Sequence, residues 1–161
     1  MICCVTGHRP SGFPFPRTEE NSDFIRYLSE LNKTIEQLIN YGFDHFISGM
    51  ADGADLDFAH CILGFQQRGH KITLEGALPY PIKDIEYQTA DIRKKLIGRC
   101  DSVTVVSDHY FRGCMHKRNR YMVDKAELVL AIWNRESKGG TWSTIEYATA
   151  RKKEIRYIYL K

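Results

Sequence analysis

The amino-acid sequence predicts a three-layer α/β fold in which a mainly parallel central sheet is flanked by helices. Short runs rich in β-branched and aromatic residues alternate with helix-length amphipathic segments along the whole chain, which is the pattern of a parallel sheet covered by helices. The 161 residues, 43% of them hydrophobic, have the size and composition of one domain. No repeat, linker or low-complexity tract interrupts them. We therefore expect a single domain over residues 1–161.

Six short runs are predicted as strands because they combine apolar, β-branched and aromatic residues and are bounded by turn or helix-ending residues. In chain order the predicted strands are 2–6, 43–48, 71–78, 102–106, 128–133 and 155–160. The run 102–106 has the apolar composition typical of a buried strand.

Five amphipathic segments are predicted as helices. The first has apolar side chains at helical spacing from Phe24 to Ile39, a cap at Asn21 or Ser22, and Gly42 at its end. The other predicted helices cover about 54–68, 84–99, 113–125 and 141–152. This order of strands and helices predicts a Rossmann-like fold.

Four loops leave predicted strands at the end where helices begin, and they cover residues 7–12, 48–53, 107–113 and 134–141. In open parallel sheets the ligand crevice lies beyond the carboxyl ends of the strands. We therefore expect these four loops to form one shared pocket.

Composition limits the classes of function. The net charge of +3 comes from 23 basic and 20 acidic side chains mixed along the chain, which is too balanced for a dedicated nucleic-acid binder. No stretch approaches the ~18 consecutive apolar residues of a membrane span, and the chain opens on a strand-like run instead of a signal peptide. Five cysteines without CxxC spacing indicate reduced thiols. A cytoplasmic protein is expected.

The strongest local signal is the segment 138–146, which joins a hydrophobic strand to an amphipathic helix. Gly139 and Gly140 allow a ligand to approach the main chain, and free amides at a helix start attract an anion. The alternative is a tight turn capped by Thr141. Glu146, one turn into the helix, could act as a base or hold a ribose hydroxyl, or it could simply favour the helix dipole.

The loop 48–53 also joins a strand to a helix through glycines, so Ser48, Gly49 and Gly53 share the phosphate interpretation. Asp52 and Asp55 have the spacing of a helix cap and its partner. The carboxylates do not match the calcium-loop pattern, and no histidine pair accompanies them. We expect neither a metal site nor a cofactor.

Two further segments carry basic groups. Gly7, His8 and Arg9 follow the first strand, where Arg can hold phosphate and His can donate a hydrogen bond or stack; a surface turn is the alternative. The cluster 116–120 could bind phosphate or form a solvated helix face. Residues three and four apart share a face of a helix, so Arg118 lies on an apolar stripe between two methionines and Arg120 does not. Arg118 is therefore expected to face the pocket.

Four motifs, GHRP (7–10), SGMADGAD (48–55), RNRYMVD (118–124) and GGTWSTIEYA (139–148), appear in this order over nearly the full chain. Together they resemble the SLOG superfamily, and within it the YpsA-like branch. This superfamily includes the LONELY GUY phosphoribohydrolases and the DNA-processing protein DprA. The resemblance implies a Rossmann-like domain that binds a nucleotide or a nucleotide derivative.

The resemblance to the phosphoribohydrolases also implies catalytic positions. Residues 115–122 look like the helix motif that carries their catalytic arginine, which falls on Arg118, and residues 139–146 look like the motif that carries their catalytic glutamate, which falls on Glu146. The sequence departs from these motifs by having Lys138 for proline, Trp142 for glycine and Asn119 for lysine. Ser143 also replaces a threonine.

The leading hypothesis is a binding or sensing domain for an ADP-ribose-like or NAD-like ligand, with no membrane partner and with the oligomeric state left open. The alternatives are a phosphoribohydrolase acting on nucleoside monophosphates, with Arg118 and Glu146 as catalytic residues, and a DprA-like single-stranded DNA module, which the small basic surface disfavours. The expected ligand-binding residues are Gly7, His8, Arg9, Ser48, Gly49, Gly53, Asp55, Arg118, Asn119, Gly139, Gly140, Thr141, Ser143 and Thr144.

Overall fold

A computed structural model describes residues 1–81, 83 and 90–161, and of Ala90 the backbone alone. It is an α/β fold, as predicted, and all strand pairs of its six-stranded sheet are parallel. The strands are β1 (Ile2–Gly7), β2 (His45–Ser48), β3 (Thr73–Leu78), β4 (Ser102–Val105), β5 (Leu128–Trp133) and β6 (Glu154–Tyr159). Their spatial order is β4-β3-β2-β1-β5-β6.

Helices cover both faces of this sheet. In the described part of the chain they are α1 (Ser22–Tyr41), α2 (Ala54–Gln67), α3 (Ala90–Gly98), α4 (Cys114–Lys125) and α5 (Gly139–Ala150). Helices α1, α2 and α3 pack together on one face, and α4 and α5 pack together on the other. Residues 84–89 of the third predicted helix lie outside the described residues. None of the described helices is long and apolar enough to cross a membrane.

The core has one layer on each side of the sheet. Leu31, Ile35 and Phe58 belong to the larger layer under α1 and α2, while Met122 and Val129 belong to the smaller layer under α4 and α5. Alternate residues of a strand point to opposite faces, so each central strand contributes to both layers. This double burial is the reason that the central strands are nearly continuous apolar runs.

The strand order reverses direction once. The chain runs outward from β1 to β4 and then crosses back to place β5 on the other side of β1. At such a switch point the loops after the two central strands leave toward opposite faces, and a crevice opens between them. The carboxyl ends of β1 and β5 therefore mark the place for a ligand.

The start and end of α1 follow the predicted signals. Asn21 is the N-cap, and its side-chain oxygen accepts hydrogen bonds from the amides of Asp23 and Phe24, both at 3.0 Å. Gly42 ends the helix with a φ of 119°, in the left-handed region that glycine tolerates best. Both features confirm the sequence interpretation.

The cap predicted at Asp52 and the alternative cap at Thr141 are both wrong. Helix α5 begins at Gly139 and its N-cap is Lys138, so Thr141 lies inside the first turn and caps nothing. Helix α2 is preceded by Gly53, not Asp52, at the N-cap position, with a φ of 95°. In both places a glycine with positive φ turns the chain, which allows the helix to begin without a side-chain cap.

Strand β4 was expected to be buried, but it is an edge strand. It pairs with β3 alone among the described strands, and Val103 and Val105 expose 43% and 45% of their surfaces. An apolar run indicates that a segment forms a strand, but it does not show where in the sheet that strand lies. The sequence therefore could not show that β4 is outermost.

Candidate functional site

A cavity of about 310 Å³ lies at the switch point of the sheet. Its wall is built from the end of β1, the loop that follows β1, the loop between β2 and α2, the start of α2, the first two turns of α4 and the first turn of α5. The sequence predicted one pocket shared by four loops. The described loop 107–113 does not line the cavity. On that side the wall is formed by three residues of the following helix, Met115, Arg118 and Asn119.

The predicted ligand-binding residues divide into two groups. Eight of the fourteen line the cavity: Gly7, His8, Arg9, Asp55, Arg118, Asn119, Gly140 and Thr141. The remaining six, Ser48, Gly49, Gly53, Gly139, Ser143 and Thr144, are not in its wall. Most of the first group lie at the start of a helix or directly after β1, where the fold brings loop backbone to the crevice.

Arg118 is fixed in the cavity wall by backbone contacts. Only 4% of its surface is exposed, and one terminal nitrogen donates to the carbonyl oxygens of Gly49 and, at 3.2 Å, Ala77. Its Nε donates to the side chain of Asn119 at 2.8 Å. These carbonyls belong to the carboxyl ends of β2 and β3, so Arg118 connects α4 to the sheet while it lines the cavity.

Gly49 is required by this arrangement. A Cβ atom at this position would lie 2.6 Å from Oδ2 of Asp55 and 2.8 Å from the guanidinium carbon of Arg118. The glycine therefore acts behind the cavity wall, by allowing an arginine and a carboxylate to approach the same stretch of backbone.

Asp55 brings a buried acid to the cavity. Its Oδ2 accepts a hydrogen bond from the amide of Ala51 at 3.3 Å. Burial raises the pKa of Asp55, while the charge of Arg118, the Ala51 hydrogen bond, and the charges of Arg9 and Arg93 oppose that rise. The cavity therefore combines hydrogen-bond acceptors with a positive surrounding field.

Arg93 is a residue that the sequence interpretation missed. It lies on α3, exposes only 2% of its surface, and acts electrostatically on Asp55. The segment around it was predicted only as a helix, and no role was assigned to Arg93. A usable signal was present, because Arg93 precedes Leu96 and Ile97 by three and four residues and therefore shares their apolar face.

The first two cavity loops are packed directly against each other. The amide of Ala54 donates to the carbonyl oxygen of His8 at 3.1 Å, and a Cβ atom on Gly53 would overlap that same oxygen. Burial lowers the pKa of His8, although the charge of Glu136 and a hydrogen bond with Asn134 oppose this. The Nε2 atom of His8 has no hydrogen-bond partner among the described residues.

Helix α5 presents its amino end to the cavity. Gly140 and Thr141 line the wall, and no side chain in the described part of the chain caps the helix at Lys138. A Cβ atom on Gly140 would meet open space within 4 Å. The first-turn amides and the positive end of the helix dipole are suited to an anion.

Ser48, Ser143 and Thr144 have other surroundings. The Ser48 hydroxyl is fully buried and donates to the backbone oxygen of Asp55 at 2.8 Å, which supports the loop from behind. Ser143 and Thr144 line a narrow cleft between α4 and α5. That cleft shares Asn119 with the main cavity.

Glu146 points away from the cavity. It is exposed on α5 and does not line the wall. Five residues separate it from Thr141, which is about 140° of rotation on a helix. The two residues therefore face different directions.

The two arginines of α4 also face different directions. Arg118 lies in the cavity wall, whereas the guanidinium carbon of Arg120 lies 5.2 Å from the ring centre of Tyr147. The hydroxyl of Tyr147 in turn donates to Asp124 at 2.9 Å. This is the relative orientation that their spacing in the sequence predicted.

A second feature that the sequence did not indicate lies behind α4. Glu75 of β3 exposes 1% of its side chain, and its carboxylate receives hydrogen bonds from Tyr121 at 2.6 Å and Lys125 at 2.9 Å. Thr104 donates to it at 2.9 Å and Nε2 of His45 lies 2.8 Å away. These contacts attach α4, and with it Arg118, to β3, the strand next to the edge strand β4.

Comparison with known families agrees with this geometry. A family model described as the YspA SLOG family matches residues 3–160. The chain belongs to this family. No curated protein matches the chain. Among the described residues of this SLOG domain, no group of three or more histidine, cysteine, aspartate or glutamate side chains is placed to hold a metal ion.

Proposed function

We propose that this SLOG domain binds a phosphate-bearing nucleotide or nucleotide derivative in the cavity at the switch point. One observation carries the proposal: the amino end of α5 and the buried guanidinium of Arg118 line the same cavity. Backbone amides at a helix start and a guanidinium group are both groups that proteins commonly use to hold phosphate.

The rest of the wall supplies groups for the uncharged part of such a ligand. Asp55 and Asn119 offer oxygen acceptors, and the ring of His8 offers its Nε2 atom. Hydroxyl groups of a ribose are suitable partners for these atoms. A volume of about 310 Å³ is at the lower end of the range for small-molecule sites, which fits one nucleotide unit.

The phosphoribohydrolase alternative receives no support from the position of Glu146. A general base must come within hydrogen-bond reach of the group on which it acts. Glu146 is exposed on α5 and faces away from the cavity, so the residue to which the resemblance assigned catalysis does not reach the proposed ligand. Binding without turnover is the function that the arrangement favours.

Thermal unfolding in the presence of AMP, ADP-ribose and NAD⁺ tests the proposal. A ligand present at 100 times its dissociation constant stabilises the folded state by about 2.7 kcal/mol. We expect at least one of the three to raise the melting temperature, with no base released in product analysis. The proposal is wrong if none of them stabilises the protein.

The variant Gly140→Val locates the site. Its side chain enters open space at the cavity wall, so the domain should fold, but the β-branched group blocks the approach of phosphate to the backbone. Gly98→Val is the matched control, since a Cβ atom there also meets open space and Gly98 does not line the cavity. Equal ligand stabilisation of both variants would place the site elsewhere.

A further inference from the structure

Four aromatic rings form a half-open surface at the outer edge of the sheet, and we call it the aromatic platform: Trp133, Trp142, Tyr157 and Tyr159. The rings of Trp133 and Trp142 are stacked, with centres 5.3 Å apart and planes at 16°. Those of Tyr157 and Tyr159 are parallel, with centres 5.5 Å apart. Trp133 contacts both tyrosines, at 6.0 and 6.3 Å. The four rings are therefore one continuous cluster.

The platform is only partly covered. Tyr159 exposes 36% of its surface, and the other three side chains are of intermediate burial. Strand β6 is an edge of the sheet, so no further strand among the described residues pairs alongside the two tyrosines. A cluster of large aromatic rings that stays open to solvent is typical of a binding surface.

The loop after β5 connects the platform to the cavity. Asn134 donates to the carbonyl oxygen of Gly12 at 3.1 Å, and Gly12 lies in the cavity wall. The next residue, Arg135, has a φ of 69° and places its guanidinium 4.2 Å from the ring centre of Tyr159. One short loop thus touches the cavity on one side and the platform on the other.

The sheet sets the distance between the two sites. Gly7, in the cavity wall, is paired with Ile132 on β5. Trp133 follows Ile132 by one residue. Neighbouring strands lie about 4.8 Å apart and residues along a strand about 3.3 Å apart, so the Cα atoms of Gly7 and Trp133 are separated by about 6 Å. A single ligand can span this distance.

We infer that the aromatic platform is a stacking subsite for the second base of a dinucleotide whose phosphate lies in the cavity. The inference rests on the proposed function. The cavity holds about one nucleotide unit, so a second base must lie outside it, and the platform is an aromatic surface beside the rim. Bases stack on aromatic side chains and on arginine planes whatever their identity, and Arg135 adds a cation at the platform.

The protein contains its own reporter for this subsite. It has two tryptophans, Trp133 and Trp142, and both belong to the platform. Titration with NAD⁺ should quench tryptophan fluorescence over the same concentrations that raise the melting temperature. Titration with AMP should raise the melting temperature with little quenching, because its only base remains in the cavity.

Variants of the aromatic platform distinguish the contribution of the second base from that of the nucleotide unit in the cavity. We expect Trp142→Leu and Tyr159→Leu each to weaken NAD⁺ binding about tenfold, as expected for loss of base stacking, and to leave AMP binding unchanged. Unchanged AMP binding also shows that the variants are folded. Tyr41→Leu is the control, because Tyr41 is 78% exposed on α1, outside the platform. Calorimetric titration gives each dissociation constant.

Each outcome decides between the two proposals. If AMP and NAD⁺ bind equally well and neither platform variant changes NAD⁺ affinity, the stacking subsite is wrong and the cavity remains the nucleotide site. If neither nucleotide binds, the proposed function fails, and the subsite fails with it. If a ten-residue thymidine oligonucleotide binds more tightly than NAD⁺ and quenches fluorescence in a salt-dependent manner, the platform serves single-stranded nucleic acid and the dinucleotide inference is overturned.

Discussion

The substitution Glu75→Gln tests how the buried carboxylate holds α4 on the sheet. Burial raises the pKa of Glu75, but hydrogen bonds from Tyr121, Lys125, His45 and Thr104 act in the opposite direction and bring it from 4.5 to about 2. A carboxylate with a lowered pKa in the folded state stabilises that state when it is ionised.

The size of this stabilisation, and the pH range over which it is lost, follow from the lowered pKa of Glu75. A difference of about 2.5 pKa units corresponds to about 3 kcal/mol of folding free energy. Because the folded-state pKa of Glu75 is the lower one, this stabilisation is fully present above the unfolded-state value of 4.5 and is lost as the pH falls from 4.5 towards 2. In a domain of this size, about 3 kcal/mol shifts the melting temperature by about 6–12 °C.

Urea unfolding followed by far-ultraviolet circular dichroism measures the effect. At pH 7 we expect Glu75→Gln to lower the free energy of unfolding by about 3 kcal/mol, and at pH 2 we expect the difference from the unchanged protein to shrink to a small part of this. Glu30→Gln, on an exposed position of α1, is the control and should change stability by less than about 0.5 kcal/mol. A difference that is absent at pH 7, or that persists undiminished at pH 2, would refute the electrostatic account.

Two further pairs of variants test the site and the loops. In calorimetric titration, Arg118→Ala should weaken AMP binding at least tenfold more than Arg120→Ala. A lost charged contact costs roughly 1.5–3 kcal/mol, and Arg120 lies outside the cavity wall. Equal losses of affinity would contradict the placement of the ligand beside Arg118. In urea unfolding, Gly53→Ala should lower the free energy of unfolding by at least about 2 kcal/mol more than Gly69→Ala. Both glycines have positive φ, but only at Gly53 would the added Cβ atom meet neighbouring backbone. Similar losses of stability would show that the loop after β1 and the loop between β2 and α2 are not closely packed.

The sequence was sufficient for the order and type of the elements. Strand β5 has the predicted bounds, 128–133, because its apolar residues are flanked by clear changes of composition. The predicted start of α2 at residue 54 is correct, but its cap is Gly53 and not Asp52, and α5 begins two residues before its predicted start. Asp52 and Thr141 are good caps by type, and the positive φ of Gly53 and Gly139 cannot be seen in a sequence. The exposure of β4 was missed because local composition does not determine which strand lies at the edge.

The wall of the cavity was predictable where it depends on local sequence. Glycines after strands located the loops, and helical spacing placed Arg118 towards the cavity and Arg120 elsewhere. The sequence could not show that Arg93 approaches Asp55 or that Glu75 collects donors from separate elements, because such contacts join residues far apart in the chain. Because α5 begins at Gly139, two residues before its predicted start, Glu146 lies about two turns into the helix instead of one.

The hydrogen bonds of Arg118 to the ends of β2 and β3 have a consequence for the way a ligand would be recognised. An arginine that must be ordered by its ligand loses up to about 2 kcal/mol of side-chain entropy at that moment, but Arg118 is already ordered when the domain folds. The charge of Arg118 is therefore available to a ligand without rearrangement of the side chain. The entropy lost in ordering that side chain lowers the free energy of unfolding instead of the binding affinity. Replacement of the residue beside it, Gly49, by a larger one should then slow or prevent folding before any ligand is present.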